Sequence, residues 1–146
     1  MAASAGLHPY GSKVEVSDDG NSWNAIAEIS DIDPPDEQVM EAKATHLTSD
    51  NAAKEKKPGL SETGDLKFTL NFTKAQFTTF KGYRRLMKFW RVSAPLDTGE
   101  TNPSRWVFQG FWKRLGNQKL DPEATQVIQC SVEVAVTGII TYTAGA

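Results

Sequence analysis

The sequence predicts a mainly β domain: a sandwich or barrel of two antiparallel sheets with one flanking α-helix and a long extended loop. Three observations lead there. Residues 65–72 and 126–137 alternate apolar and polar side chains, the signature of strands with one face inward and one outward. Only one stretch, beginning at Thr73, spaces its apolar residues for a helix. Gly-, Pro- and Asp-containing turns separate the remaining short apolar runs, as in all-β folds. A chain of 146 residues suits a single domain, 1–146.

The elements follow in order. Residues 1–11 lack periodicity and read as a flexible tail, without the basic and apolar regions of a signal peptide. Val14 and Val16 alternate with polar neighbours, Asp19-Gly20 supplies a tight turn, and Trp23, Ile26 and Ile29 continue into a second strand of the same hairpin. Pro34-Pro35 stops that strand, because proline cannot donate to a ladder. Residues 37–47 read as an extended arm, and 48–63 as a long irregular stretch of low apolar content. Structureless loops longer than about 12–15 residues are uncommon in compact domains and tend to be functional. Leu66, Phe68, Leu70 and Phe72 then mark a strand. Thr73 caps the helix with Gln76 three residues on, and Phe77, Phe80, Tyr83, Arg84 and Met87 follow at helical spacing. Strands are expected at Phe89–Val92, Trp106–Leu115 and Gln126–Thr137, with Gly138 as a break and Ile139–Thr143 as a last short edge.

Composition excludes several functions. The net charge of −2 is not that of a nucleic-acid neutraliser. Yet 28–41 holds six acids (Glu28, Asp31, Asp33, Asp36, Glu37, Glu41) and no base, whereas 81–91 holds five bases (Lys81, Arg84, Arg85, Lys88, Arg91) and no acid. These are two solvated faces or a complementary pair meeting across a subunit boundary; Asp31, Asp33, Asp36 and Glu37 opposite Arg84, Arg85 and Lys88 are the candidate interface charges. Aromatics interleave the basic stretch, which also suits a single-strand binding platform, but the acidic whole argues against one. No apolar run reaches the ~20 residues of a membrane helix. Cys130 is the only cysteine; it points inward, and without a partner it suggests a cytosolic place of synthesis. His8 and His46 show no metal-ligand spacing, and no phosphate-loop or triad signature is present. No cofactor and no catalytic residue is expected, so the chain reads as a non-enzyme.

The informative region is the long loop and its flanks: Thr45-His46-Leu47-Thr48-Ser49-Asp50, then Lys57-Pro58-Gly59-Leu60, then Thr63-Gly64-Asp65-Leu66-Lys67-Phe68. Over residues 12–92 the chain resembles the tail tube (major tail) proteins of long-tailed, non-contractile phages. The resemblance implies hexameric rings that stack into a tube, a barrel closed jointly by the subunits around a lumen, and passage of double-stranded DNA during ejection. It implies a virion protein made in the host bacterial cytoplasm, with tape measure, tail terminator and distal tail proteins as partners. It also implies that 45–64 reaches neighbouring subunits and the next ring, which makes Thr45, His46, Leu47, Ser49, Asp50, Lys54, Lys56, Lys57, Pro58, Gly59, Leu60 and Gly64 candidate contact residues. The lumen must not hold phosphate, since each basic contact adds salt-sensitive affinity. The row Gln129, Ser131, Glu133, Ala135 lacks any base and is the expected lining; Asp65, Lys67, Thr69, Asn71 is its competitor. The alternative reading is a β-sandwich binding or adhesion module of a baseplate or similar assembly.

Overall fold

The computed structural model describes residues 6–46, 53–118, 120–123, 125 and 127–146. Its elements are β1 (Lys13–Ser17), β2 (Asn24–Ala25), β3 (Ile29–Asp33), β4 (Glu37–Lys43), β5 (Lys56–Thr63), β6 (Leu66–Asn71), α1 (Lys74–Gly82), β7 (Lys88–Ser93), β8 (Arg105–Asn117) and β9 (Gln129–Thr143). The fold is mainly β with one helix and two antiparallel sheets, as the patterning predicts. The sheets are unequal: seven strands in the order β2-β1-β7-β8-β9-β6-β3, and a separate two-stranded ribbon, β4-β5. The ribbon does not lid the large sheet; every residue of β4 is exposed, and so is β5 up to its last residue.

Alternation builds the core. Val14 and Val16, Leu66, Phe68 and Leu70, Trp90 and Val92, Phe108, and Cys130, Val132 and Val134 all point to the concave side of the sheet and are buried. Helix α1 fills the concavity. Thr73 caps it, its hydroxyl oxygen accepting from the Gln76 N–H at 3.3 Å, and Phe80 enters the core. The Phe68 ring lies 6.1 Å from Phe80 and 6.2 Å from Trp90, a tilted cluster of the kind aromatic quadrupoles favour. The indoles of buried Trp90 and half-buried Trp112 are both satisfied. Trp90 donates to the Gly110 carbonyl at 3.1 Å and Trp112 to the Phe80 carbonyl at 2.8 Å, tying helix to sheet.

Several expectations are corrected. The helix stops at Gly82, because Arg85 takes a left-handed φ of +62° that turns the chain toward β7; Met87 lies outside it. Residues 56–63 are strand, not irregular loop. Gly138 does not end β9. It adopts φ +77° within a register shift against β8, where Val107 faces Thr141 and Gln109 faces Thr137, so it serves as a bulge.

The largest correction concerns the first hairpin. Only Asn24 and Ala25 pair with β1; β3 pairs instead with β6, at the opposite edge of the sheet. Ile26-Ala27-Glu28 carries the chain from one edge to the other. The Ile26 N–H donates to the Val14 carbonyl and the Glu28 carbonyl accepts from the Asn71 N–H, each at 3.0 Å. Glu28 makes the reversal at φ +60°, a left-handed value uncommon outside glycine. A link this short spans at most about 14 Å, so the sheet curls until its two edges nearly meet. We call this line the seam.

Candidate functional site: an assembly interface

Three surfaces follow from this architecture: the ribbon, the seam, and the convex face of the large sheet. The ribbon springs from the end of β3 through Pro34-Pro35, and its base is fastened. The Gly64 N–H donates to the Asp36 carbonyl at 2.8 Å, and the Thr63 hydroxyl donates to the Gly138 carbonyl at 3.3 Å. Gly64 sits so close to the Asp36 carboxylate that a β-carbon would collide with it. Midway along, the register shifts between Val39 and Glu41. There a β-carbon on Gly59 would stand 3.0 Å from the Met40 carbonyl, so a larger residue would make the backbone of the facing strand give by a few tenths of an ångström. Toward the tip, Lys56 pairs with Glu41 at 3.0 Å and His46 with Glu55 at 3.4 Å, while Thr45 holds both backbone groups of Glu55. Lys54, Lys57 and Pro58 are exposed. Leu47, Ser49 and Asp50 lie outside the described residues.

This arm carries three large apolar side chains at the level of the bulge. Val39 and Met40 are more than half exposed and Leu60 is 82 % exposed. A ribbon of two strands buries too little to hold itself together well in water, and this one leaves most of the surface of these three side chains uncovered by the described residues.

At the seam, the edges that meet at 26–28 splay apart toward Ser93 and Pro34. They leave a cleft of about 880 Å³ between β3, the N-terminal residues 7–12 and the segment Val92–Pro95. Leu7, Tyr10, Ile29, Ile32, Pro95 and Trp106 give it an apolar lining, with Asp31 at its wall.

The convex face is polar. The rows Gln129, Ser131, Glu133 and Lys67, Thr69, Asn71 are direct cross-strand partners: Lys67 faces Glu133, Thr69 faces Ser131 and Asn71 faces Gln129. The supposed competitors therefore share one face. Arg114 flanks Glu133 from the other side, so this face is charge-compensated, not free of base. Ala135 continues the row beside Phe111.

The candidate interface charges divide. Asp31 and Asp33 stand on the β3 edge, Asp36 and Glu37 at the root of the arm, and Arg84 and Arg85 are exposed after the helix. Lys88 is committed within the chain, to Asp18 and to the Tyr83 ring 4.5 Å away. Arg91 is likewise held by Glu15 at 2.6 Å and lies over Trp23 at 4.4 Å. The aromatics of the basic stretch are not presented for stacking on bases: Trp90 is fully buried and Tyr83 packs edge-on against Phe80. Among the described residues no group of three His, Cys, Asp or Glu side chains could hold a metal ion, and no helix is long and apolar enough to cross a membrane. Sequence reading missed the seam cleft altogether. Its lining comes from segments far apart in the chain, and no local signal joins them.

No protein-family model matches the chain, and no curated protein matches it. Solved structures do. A chain from the sheath/tube terminator of the PVC extracellular contractile injection system is 14% identical, with 98% of this chain and 100% of that one covered and a TM-score of 0.76. A chain from the tail of an empty gene transfer agent particle, refined with C6 symmetry, is 13% identical, with 90% and 95% covered and a TM-score of 0.65. A chain from the SPP1 tail tube is 10% identical, with 91% and 76% covered and a TM-score of 0.64. At these identities the likeness is one of fold, and it runs nearly end to end.

Proposed function

We propose that this protein is the structural subunit of the tube in a phage-like tail. It joins head to tail with copies of itself into rings of six that stack around a lumen, and the lumen conducts double-stranded DNA. The observation that carries this reading is the arm: a fastened ribbon whose apolar side chains Val39, Met40 and Leu60 are each more than half exposed. Such a surface fits a contact with another copy, and a head-to-tail contact closes into rings or extends into filaments. The end-to-end likeness to chains from tubes and tails supports it. In this reading residues 45–64 contact neighbouring subunits and the next ring, Gln129, Ser131, Glu133 and Ala135 face the lumen together with Lys67, Thr69 and Asn71, and no catalysis is involved. The protein would reside in the particle's tail after synthesis in the host bacterial cytoplasm, beside tape measure, terminator and distal tail proteins.

Negative-stain imaging of the purified protein tests the proposal. Rings with six-fold class averages, or tubes, are expected; a particle that stays monomeric at all concentrations favours an adhesion module instead. A second reading concerns the tail type. The motif resemblance points to an unsheathed, non-contractile tail. TM-scores favour a sheathed one: 0.70–0.76 for chains of contractile injection systems over 96–99% of this chain, against 0.63–0.65 for gene transfer agent and SPP1 chains over 90–91%. Images of whole particles decide between the two by the presence of a second protein layer around the tube.

A further inference from the structure

We propose that the seam cleft is a binding site for a small amphipathic carboxylate, an acid with an apolar body and one anionic head. The inference is independent of the tube reading. The cleft encloses about 880 Å³, and small-ligand sites of roughly 300–1,000 Å³ combine an apolar lining with a few placed polar groups. Leu7, Tyr10, Ile29, Ile32 and Trp106 supply the apolar lining. Tyr142 backs it, with its ring 5.4 Å from that of Trp106.

The polar groups are unequal in sign. Ser93 lines one wall, and its cross-strand partners are Lys13 on one side and Arg105 on the other. Glu15, two residues along β1 from Lys13, is already committed: its carboxylate accepts from Arg91 at 2.6 Å and from the Ser93 hydroxyl at 3.1 Å. Arg105 is half-buried, and its Nε is enclosed without a hydrogen-bond partner. Among the described residues neither Arg105 nor Lys13 has a carboxylate within ion-pair distance. A buried donor left unpaired is costly, and a carboxylate is the partner whose two oxygens match a guanidinium. His8 lines the same cleft. Its Nδ1 accepts from the Tyr10 N–H at 3.1 Å, which leaves Nε2–H as its donor. Asp31, the one acid of the lining among the described residues, stands on β3, across the cleft from Ser93. A cationic head therefore meets Asp31 alone, whereas an anionic head meets Lys13, Arg105 and His8.

Isothermal titration calorimetry of the purified protein with decanoate, below micelle formation, tests this. One decanoate per chain should bind, roughly tenfold more tightly than decyltrimethylammonium, which pairs a similar apolar chain with the opposite head. The net charge of −2 favours the cation, so a preference for the anion belongs to the site. Arg105→Gln should weaken decanoate roughly tenfold, through loss of a charge-assisted hydrogen bond, and leave the cation unchanged. Arg84→Gln, at an exposed base outside the cleft, should change neither. If Arg105→Gln loses its native circular dichroism, the preference of the wild-type chain between the two heads decides alone. Absence of saturable decanoate binding overturns the inference. Equal affinity for the two heads, or a folded Arg105→Gln that binds decanoate as wild type does, reduces the binding to unspecific apolar contact and overturns it as well.

Discussion

Cys130 shows how placement decides chemistry at the scale of one residue. It is 1% exposed, opposite Leu70, and burial pushes its thiol pKa upward. A neutral thiol of this kind is a small hydrophobe and a poor nucleophile. Native protein should therefore resist alkylation until it unfolds, and Cys130→Ala should cost about 1 kcal/mol in denaturant titration. The sign of the pH effect follows. The unfolded thiol ionises near about 8.5 and the folded one only higher, so stability falls as pH rises past the unfolded value, and Cys130→Ala should remove that slope. Asp19 runs the other way. The backbone N–H groups of Ser22 and Asn21 and the Ser17 hydroxyl hold its carboxyl below the usual range. Its contribution is present above the unfolded value and is lost as pH falls through the folded one. Asp19→Asn should lower the melting temperature at pH 7 and leave it unchanged near the acid limit. Both residues were legible in the sequence, Cys130 from strand alternation and Asp19-Gly20 as a turn, because each is governed by neighbours a few positions away.

At the scale of elements, β6 and β9 were legible for the same reason: one face is wet and one dry, and the alternation records it. The arm was not. Its return strand, Lys56–Thr63, contains Pro58 and Gly59 and exposes both faces, so no periodicity is written into it. The convex face was half legible. Each row could be read along its strand, but that two rows share a face is a matter of register. Replacing 38–62 by a short Gly/Ser turn should leave a folded monomer, since Glu37 and Thr63 are paired and the arm adds nothing to the core. Circular dichroism should stay native-like while tubes vanish from negative stain; normal tubes would show that the arm is dispensable. Gly110 makes the opposite kind of prediction. A β-carbon there would come within 2.9 Å of the Val134 side chain and closer still to the Ala135 carbonyl. Gly110→Ala should cost on the order of 1–3 kcal/mol through overpacking between β8 and β9, read by urea denaturation, before assembly is considered.

For the whole molecule, fold class was readable from patterning but topology was not, because the edge-to-edge crossing at 26–28 depends on partners that lie tens of residues away. The convex face leads to a prediction at this scale. Glu133 stands between Lys67 and Arg114, so Glu133→Lys lines up three bases across three strands. Like charges directly opposite cost about 0.2–1 kcal/mol, which the fold should survive. If this face lines the lumen, DNA ejection should slow and added salt should relieve the defect, since each new phosphate contact steepens the log–log salt dependence by about 0.9. Unchanged ejection from intact tubes would move the lumen to another face. The strand order has a separate consequence, in time. β9 is translated last of the nine strands yet sits in the middle of the sheet, between β8 and β6, and β1 waits for β7 some seventy residues downstream. Nascent chains therefore hold no finished seam and no finished sheet while β9 is still unmade. Folding of this kind, dominated by distant pairings, is slow. On the proposed tube reading, assembly would wait until β9 has emerged, and the ribosome would not become a nucleation site.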